Sequence, residues 1–206
     1  MREPGGEAAI LLASGSPRRR RLLAEANLAF QVEVSHADES LPAALTPEDA
    51  AEALAERKAR AVAARHHGEP LLVIGADTLV VLDDPDAQAG VRFLGKPAGP
   101  DQAREMLRSL SGTRHRVVTG VAVVRAWDAG SLVDHERTWV SMRAITPDEI
   151  EAYVQSGEWR DKAGGYAIQE HADVFVTGLQ GGGFDNVVGL PVALTLGLLE
   201  RARGSG

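Results

Sequence analysis

Apolar residues along this chain fall into two patterns: short unbroken runs, and longer stretches in which they recur every third or fourth position. The first pattern predicts buried strands and the second predicts amphipathic helices. "AAILLAS" (8–14) is such a run. It is followed by Ser16 and Pro17, a hydroxyl N-cap and a proline at the first helical position. The opening unit therefore reads as strand, tight turn, helix. "FQVEVS" (30–35) alternates like a half-buried strand. "TPEDAAEALAERKARAVAARHH" (46–67) starts at Thr46 and Pro47 and stays alanine-rich until Gly68, which predicts a helix of about five turns.

"PLLVIGADTLVVLDD" (70–84) reads as a central strand buried on both faces, with one aspartate, Asp77, in its middle. A Pro/Asp/Gly-rich turn leads to "VRFLGKP" (91–97), and "GPDQAREMLRSLSG" (99–112) predicts a further helix. "HRVVTGVAVVRAW" (115–127) and "SLVDHERTWVSMRAI" (131–145) form two long strands joined by a "DAG" turn. "TPDEIEAYVQSG" (146–157) is a short helix with an acidic start. The glycine-broken loop "WRDKAGGYAIQE" (159–170), a strand "ADVFVTGL" (172–179), the loop "QGGGFDNVVG" (180–189) and a helix from Pro191 complete the chain. Strands and helices alternate in the first half and an antiparallel pair follows, so the fold class is α/β, a sandwich of helices around a mixed sheet.

The 206 residues, 44% of them hydrophobic, suffice for a real core, and no composition break marks a boundary. One domain over 1–206 is expected, with flexible ends at about 1–7 and 202–206. A net charge of -7 argues against a broad electrostatic interaction with nucleic acid or acidic membranes. Clustered basic residues are then local tools. No apolar run approaches the roughly 20 residues of a bilayer span, and "MREPGGEAA" lacks the apolar stretch of a signal peptide. A cytoplasmic protein is expected. The absence of cysteine excludes disulfides, zinc–thiolate sites and cysteine nucleophiles.

In "SGSPRRRR" (14–21), Ser16 caps the helix, so Arg18 and Arg19 lie beside its exposed amides and Arg20 and Arg21 a turn further in. A phosphate there would take backbone N–H bonds, a serine hydroxyl and guanidinium contacts together. A solvated basic face, with Leu22, Leu23 and Ala26 toward the core, is the plainer alternative. Asp77 lies among almost wholly apolar neighbours, where an unpaired carboxylate costs several kcal/mol. It should hold a cation, a metal or a water; the alternative is an aspartate capping a loop or paired with a lysine. Beside a divalent ion it can orient or deprotonate a water for hydrolysis of a phosphoanhydride. Glu39, in "SHADES", is a second hard oxygen donor suited to magnesium or manganese.

Lys58, inside the long helix, is solvated by default, and Lys96 in "LGKP" is aimed by a proline-locked loop. No phosphate-binding GxxxxGK[ST] loop is present. In "DKAGGYAIQ", Lys162 can meet a phosphate and Gln169 can bond a base edge, although glycines here also simply make turns. The six histidines show no ligand spacing such as HExxH, and His115 reads as a hydrogen-bonded structural residue.

Taken in order, "LASGSPRR", "GADTLVV", "GKP", "SGTRHRVVTGVAV", "DKAGGYAIQ" and "NVVGLP" resemble the Maf family of nucleoside triphosphate pyrophosphatases, over residues 8 to 199 or so. The resemblance implies a fold like that of the inosine triphosphate pyrophosphatases, a nucleotide cleft between two lobes and a divalent cation, Mg2+ or Mn2+. It implies hydrolysis between the α and β phosphates, giving a monophosphate and pyrophosphate. Carried over by position, Asp77 is the proton acceptor that activates water. Ser14, Arg18, Arg19, Lys58 and Lys96 contact phosphates, and Glu39 assists the metal or the water. A homodimer is compatible with the resemblance, although no apolar stripe marks an interface.

Arg18, Thr78 and Gln169 form a combination similar to that of the dTTP/UTP pyrophosphatase type, whereas the branch acting on 7-methyl-GTP typically has tryptophan, glutamine and glutamate there. The Gln169 amide can donate to O4 and accept from N3–H of uracil or thymine. The chain departs from the common "YGIQG" and "GSYxNVVGLP" patterns at Glu170, Gly183 and Phe184, adding a negative charge near the proposed base and removing a hydroxyl. Two other functions stay open on sequence grounds: a non-catalytic nucleotide-binding regulator of cell division, and a house-cleaning hydrolase for modified pyrimidine triphosphates.

Overall fold

The computed structural model describes residues 8–40, 45–87 and 90–204. Its elements run β1 (Ala9–Leu12), α1 (Pro17–Glu25), β2 (Gln31–Val32), α2 (Pro47–Ala63), β3 (Leu71–Asp83), β4 (Val91–Leu94), α3 (Pro100–Leu110), β5 (Arg114–Arg125), β6 (Ser131–Met142), α4 (Pro147–Ser156), β7 (Val176–Gln180), α5 (Phe184–Val188) and α6 (Val192–Gly204). The strands order as β2-β1-β3-β5-β6-β7, with β4 paired to β3. β1 pairs parallel with both β2 and β3, while β3–β4 and β6–β7 pair antiparallel. This is the mixed-sheet α/β class that the alternation of patterns predicts.

The chain divides into two compact units: residues 1–77, 119–136 and 189–206, and residues 78–118 and 137–188. In the first, the period-two geometry of β1 and β3 sorts the core onto two faces. Ile10, Leu12, Leu72, Ile74 and Ala76 pack with Leu23 of α1 and with Leu198 and Leu199 of α6. Leu11, Ala13 and Val73 face the other way, onto Ala55, Ala59 and Val62 of α2. Asp77 has the parity of Val73 and Gly75, so β3 turns it toward the α2 side.

Two glycines let α2 come close to the strands. A Cβ at Gly75 would overlap the Ala55 carbonyl and Ala59, and one at Gly120 would overlap the backbone of Ala51 and Glu52. The alanine stripe of α2 thus lies on glycines, and backbone nearly touches backbone. In the second unit α3 buries Ala103, Met106, Leu107 and Leu110, and α4 buries Ile150, Tyr153 and Val154. Arg104 of α3 holds Glu151 of α4 in a two-pronged pair at 2.7 and 3.0 Å.

Four expectations change. The strand expected over 30–35 shrinks to Gln31–Val32 because Arg65 donates to the Val34 and Ser35 carbonyls, which a neighbouring strand would otherwise take. The strand expected over 172–179 begins only at Val176; His171–Phe175 is a 3₁₀ turn whose buried residues, Ala172 and Phe175, are spaced for a helical turn rather than a strand. The loop expected over 180–189 contains α5, whose Asn186 side chain donates to the Val117 carbonyl at 3.2 Å and to Thr138 Oγ1 at 2.8 Å. Finally, residues 202–204, expected as part of a flexible end, belong to α6, with Ala202 buried. The rest of that expectation, 1–7 and 205–206, lies outside the described residues.

Candidate active site

The close seat of α2 on β3 decides where Lys58 goes. Lys58 precedes Ala59, which touches Gly75, and Asp77 lies two residues beyond Gly75 on the same strand face. The lysine Nζ hydrogen-bonds Asp77 Oδ1 and pairs with Glu39 Oε1 at 2.7 Å. Lys58 is therefore buried rather than solvated, because the small residues flanking it leave no room between helix and strand. Its ammonium is the counter-charge that a carboxylate at this depth requires. Asp77 is 8% exposed, and the Glu39 side chain is 52% exposed.

At the start of α1, Ser16 caps the helix, its Oγ accepting from the Arg19 N–H at 3.4 Å. Arg19 Nη1 donates to Ser14 Oγ (3.2 Å), and Arg19 Nε donates to the Gly189 carbonyl (2.8 Å). Burial lowers the pKa of this guanidinium and Arg18 adds to the effect; the charges of Asp77 and Glu39 oppose it. An arginine stays protonated through such shifts. Ser14, Arg19, Lys58, Asp77 and Glu39 thus share one electrostatic neighbourhood in the first unit. Arg18 is half-buried beside them, while Arg20 and Arg21 are exposed and Arg21 closes a surface pair with Glu25 at 2.7 Å.

The other candidates belong to the second unit. Thr78 is half-buried on β3, and Lys96 and Gln169 are exposed. Lys162 is buried; its Nζ donates to the Glu158 carbonyl and pairs with Glu170 Oε2 at 3.0 Å. The additional acid at position 170 is thus the counter-ion of that lysine. His115 is fully buried with its Nε2 2.8 Å from the Tyr166 hydroxyl. Burial pushes its pKa down to about 4 and raises that of Tyr166, so both are neutral at pH 7. The histidine is the hydrogen-bonded structural residue that its place at a strand start suggests.

An aspartate and a glutamate gathered on a single cationic centre are hard oxygen donors. With phosphate and water oxygens they fit a divalent ion such as magnesium, which commonly takes only one or two protein carboxylates. Among the described residues, Glu52, Asp134 and His135 have ligand atoms within 4.8 Å of one another. There His135 Nδ1 lies 2.6 Å from Glu52 Oε1, an ion-pair geometry. Sequence spacing gives no sign of this group because 83 residues separate the two. The Gly189 carbonyl that accepts from Arg19 likewise has no mark in the sequence: a backbone acceptor 170 residues away carries no side-chain signal.

Comparison with known proteins adds an independent line. The profile of the family described as "Maf-like protein" matches residues 9–202. A relative from Pelotomaculum thermopropionicum, called dTTP/UTP pyrophosphatase, is 47% identical over 93% of this chain and 95% of its own. One of the same name from Moorella thermoacetica is 51% identical over 89% of each chain. A third, from Desulforamulus reducens, is 46% identical over 89% of this chain and 91% of its own. The solved structure of a nucleoside-triphosphatase / dITP/XTP pyrophosphatase from Mycobacterium abscessus aligns with 72% of this chain and 95% of its own, at 19% identity and a TM-score of 0.40.

Proposed function

The chain belongs to the Maf family, and from that premise we propose that it is an enzyme hydrolysing nucleoside triphosphates, dTTP and UTP foremost, to the monophosphate and pyrophosphate. The observation that carries the proposal is the buried Asp77 carboxylate, held in the middle of β3 within the field of Lys58 and Arg19. Burying this carboxylate is costly even with Lys58 beside it, and packing alone gains little from it, which favours a chemical role.

In the proposed reaction a water attacks the α-phosphorus and gives its proton to Asp77 Oδ2 or Oδ1. The bond from the α-phosphorus to the bridging oxygen breaks, and pyrophosphate leaves with the electron pair. Ser14, Arg18, Arg19, Lys58 and Lys96 hold phosphate oxygens, and Lys162 adds a further cation. A Mg2+ or Mn2+ ion held by Asp77 and Glu39 would neutralise charge on the phosphates. Catalysis is then mainly positioning and charge stabilisation, as expected where negative charge develops on phosphate oxygens. Arg18, Thr78 and Gln169 select the base, with the Gln169 amide pairing with the O4/N3–H edge of the pyrimidine. We take the reaction to run in the cytoplasm. No helix among the described residues is long and apolar enough to cross a membrane.

A pyrophosphate-release assay over normal and modified nucleoside triphosphates, with magnesium or manganese, tests the proposal. Asp77→Asn keeps the shape and removes the base, so kcat should fall by about 10²-fold or more. Release at the parental rate would refute the mechanism, and release of orthophosphate would point to a different bond. Gln169→Glu should weaken UTP turnover more than metal binding; equal losses would sink the specificity role.

A further inference from the structure

We propose that Glu170 is an intramolecular stand-in for a substrate phosphate: it occupies Lys162 in the free protein and is displaced when the triphosphate binds, so that it sets substrate affinity. The inference rests on the reading of Lys162 as a phosphate contact. It goes beyond that reading by assigning a role to a residue outside the reacting set.

The geometry behind it is local to residues 158–173. Lys162 Nζ is buried, with a side chain only 10% exposed, and two acceptors face it: the Glu158 carbonyl and Glu170 Oε2 at 3.0 Å. These two acceptors differ in kind. The carbonyl is fixed backbone in the turn after α4, whereas the Glu170 side chain is 36% exposed and can rotate into water at little cost. The Glu170 backbone, by contrast, is pinned on both sides. Its N–H donates to the Ala167 carbonyl at 3.1 Å, and its own carbonyl accepts from Asp173 N–H at 3.0 Å. The next residue is clasped as well, His171 N donating to Glu158 Oε2 at 3.1 Å and its ring bonding the same carboxylate. The loop therefore holds its shape while one carboxylate end can come and go.

An ammonium has three donors. Two are engaged by the Glu158 carbonyl and Glu170 Oε2; we take a phosphate oxygen and the Glu170 carboxylate to compete for this buried cation because two anions on one ammonium repel each other. Only the fraction of molecules with Lys162 released from Glu170 is ready for substrate, so apparent affinity is reduced by that fraction. Glu170 is then a positioning residue acting through Lys162. It weakens substrate binding and lets the pyrophosphate product be replaced on the lysine as it leaves.

The test compares the parent with Glu170→Gln, Glu170→Ala, Lys162→Gln and the Glu170→Gln/Lys162→Gln double variant. Readouts are kcat and KM for UTP and the inhibition constant of inorganic pyrophosphate. We expect Glu170→Gln and Glu170→Ala to lower both KM and the pyrophosphate constant by about three- to tenfold with kcat little changed. In the Lys162→Gln background the same change should do nothing, because there is no ammonium left to compete for. An unchanged or raised KM in both Glu170 variants, with Lys162→Gln still raising KM, would overturn the inference while sparing Lys162 as a phosphate contact. If Lys162→Gln leaves KM alone, the inference falls together with the role of Lys162, while Asp77→Asn still reports on the hydrolysis itself.

Discussion

Lys58 and Lys162 are buried to almost the same degree, 7% and 8% exposed, one in each compact unit, and each faces a carboxylate. Their partners differ. Lys58 meets Asp77, as deeply buried as itself, with Glu39 closing the pair from the solvent side. Lys162 meets a backbone carbonyl and the half-exposed Glu170. Where both charges are out of water, neither can leave without stranding the other, so in the proposed reaction Lys58 and Asp77 act together, taking on further ligands rather than giving each other up. Where one partner keeps access to water, the contact can be exchanged for another anion. Burial of the lysine alone therefore says little about its role; the burial of each partner decides whether that partner stays or can be exchanged. The second unit also buries polar groups with no charge at all, in the neutral His115–Tyr166 pair.

The largest effect is expected where the locked pair is broken. Lys58→Ala leaves the Asp77 carboxylate uncompensated and should cost about 3–5 kcal/mol in denaturant unfolding, while Lys58→Met combined with Asp77→Leu should recover most of it. Lys162→Ala should cost only about 1 kcal/mol, because Glu170 turns to water and a single carbonyl loses its donor. Equal costs for the two lysines would break the comparison.

Between these lies a pH effect from the neutral pair. The His115 pKa is about 4 folded against 6.5 unfolded, so below 6.5 the unfolded chain binds the extra proton. Its contribution is complete above pH 6.5 and is lost progressively as pH falls toward 4. The loss approaches about 3–4 kcal/mol, from a shift of about 2.5 units at 1.36 kcal/mol each. Unfolding curves of the parent and of His115→Gln, taken across that window, should converge as pH falls; parallel curves would show that the histidine is not buried neutral.

The smallest effect belongs to Arg21. Its pair with Glu25 is exposed on both sides, so Arg21→Ala should leave the melting temperature and KM for UTP unchanged. Arg19→Ala, which removes a half-buried guanidinium two positions away, should raise KM for UTP severalfold; similar behaviour of the two variants would erase the division within "RRRR".

Much of this was legible from pattern alone. Strand and helix periodicity placed β1, α1, α2, β3, β5, β6 and α6, because each carries its signal within ten or fifteen consecutive residues. The N-caps Ser16, Thr46 and Thr146 sit where a hydroxyl followed by proline predicts them. Two of the segments that differ are short ones whose form depends on distant partners: 33–35, tied by Arg65, and 184–188, tied through Asn186.

The same division runs through the candidate site. Local sequence determined that Asp77 stands in an apolar strand and that Arg18 and Arg19 lie at a helix start with Arg20 and Arg21 a turn further in, since these follow from periods of 2 and 3.6 residues. Which cation answers Asp77 was decided only in three dimensions. Lys58 lies 19 residues away on a helix whose pattern says merely that it is amphipathic. The contact exists because alanines on α2 and Gly75 and Gly120 on the strands let two backbones come within van der Waals reach. For Lys162 the sequence named the lysine and the unexpected acid at 170, eight residues apart; the turn between them made one the counter-ion of the other. Charge and periodicity are written along the chain, whereas pairing depends on distances that only packing sets.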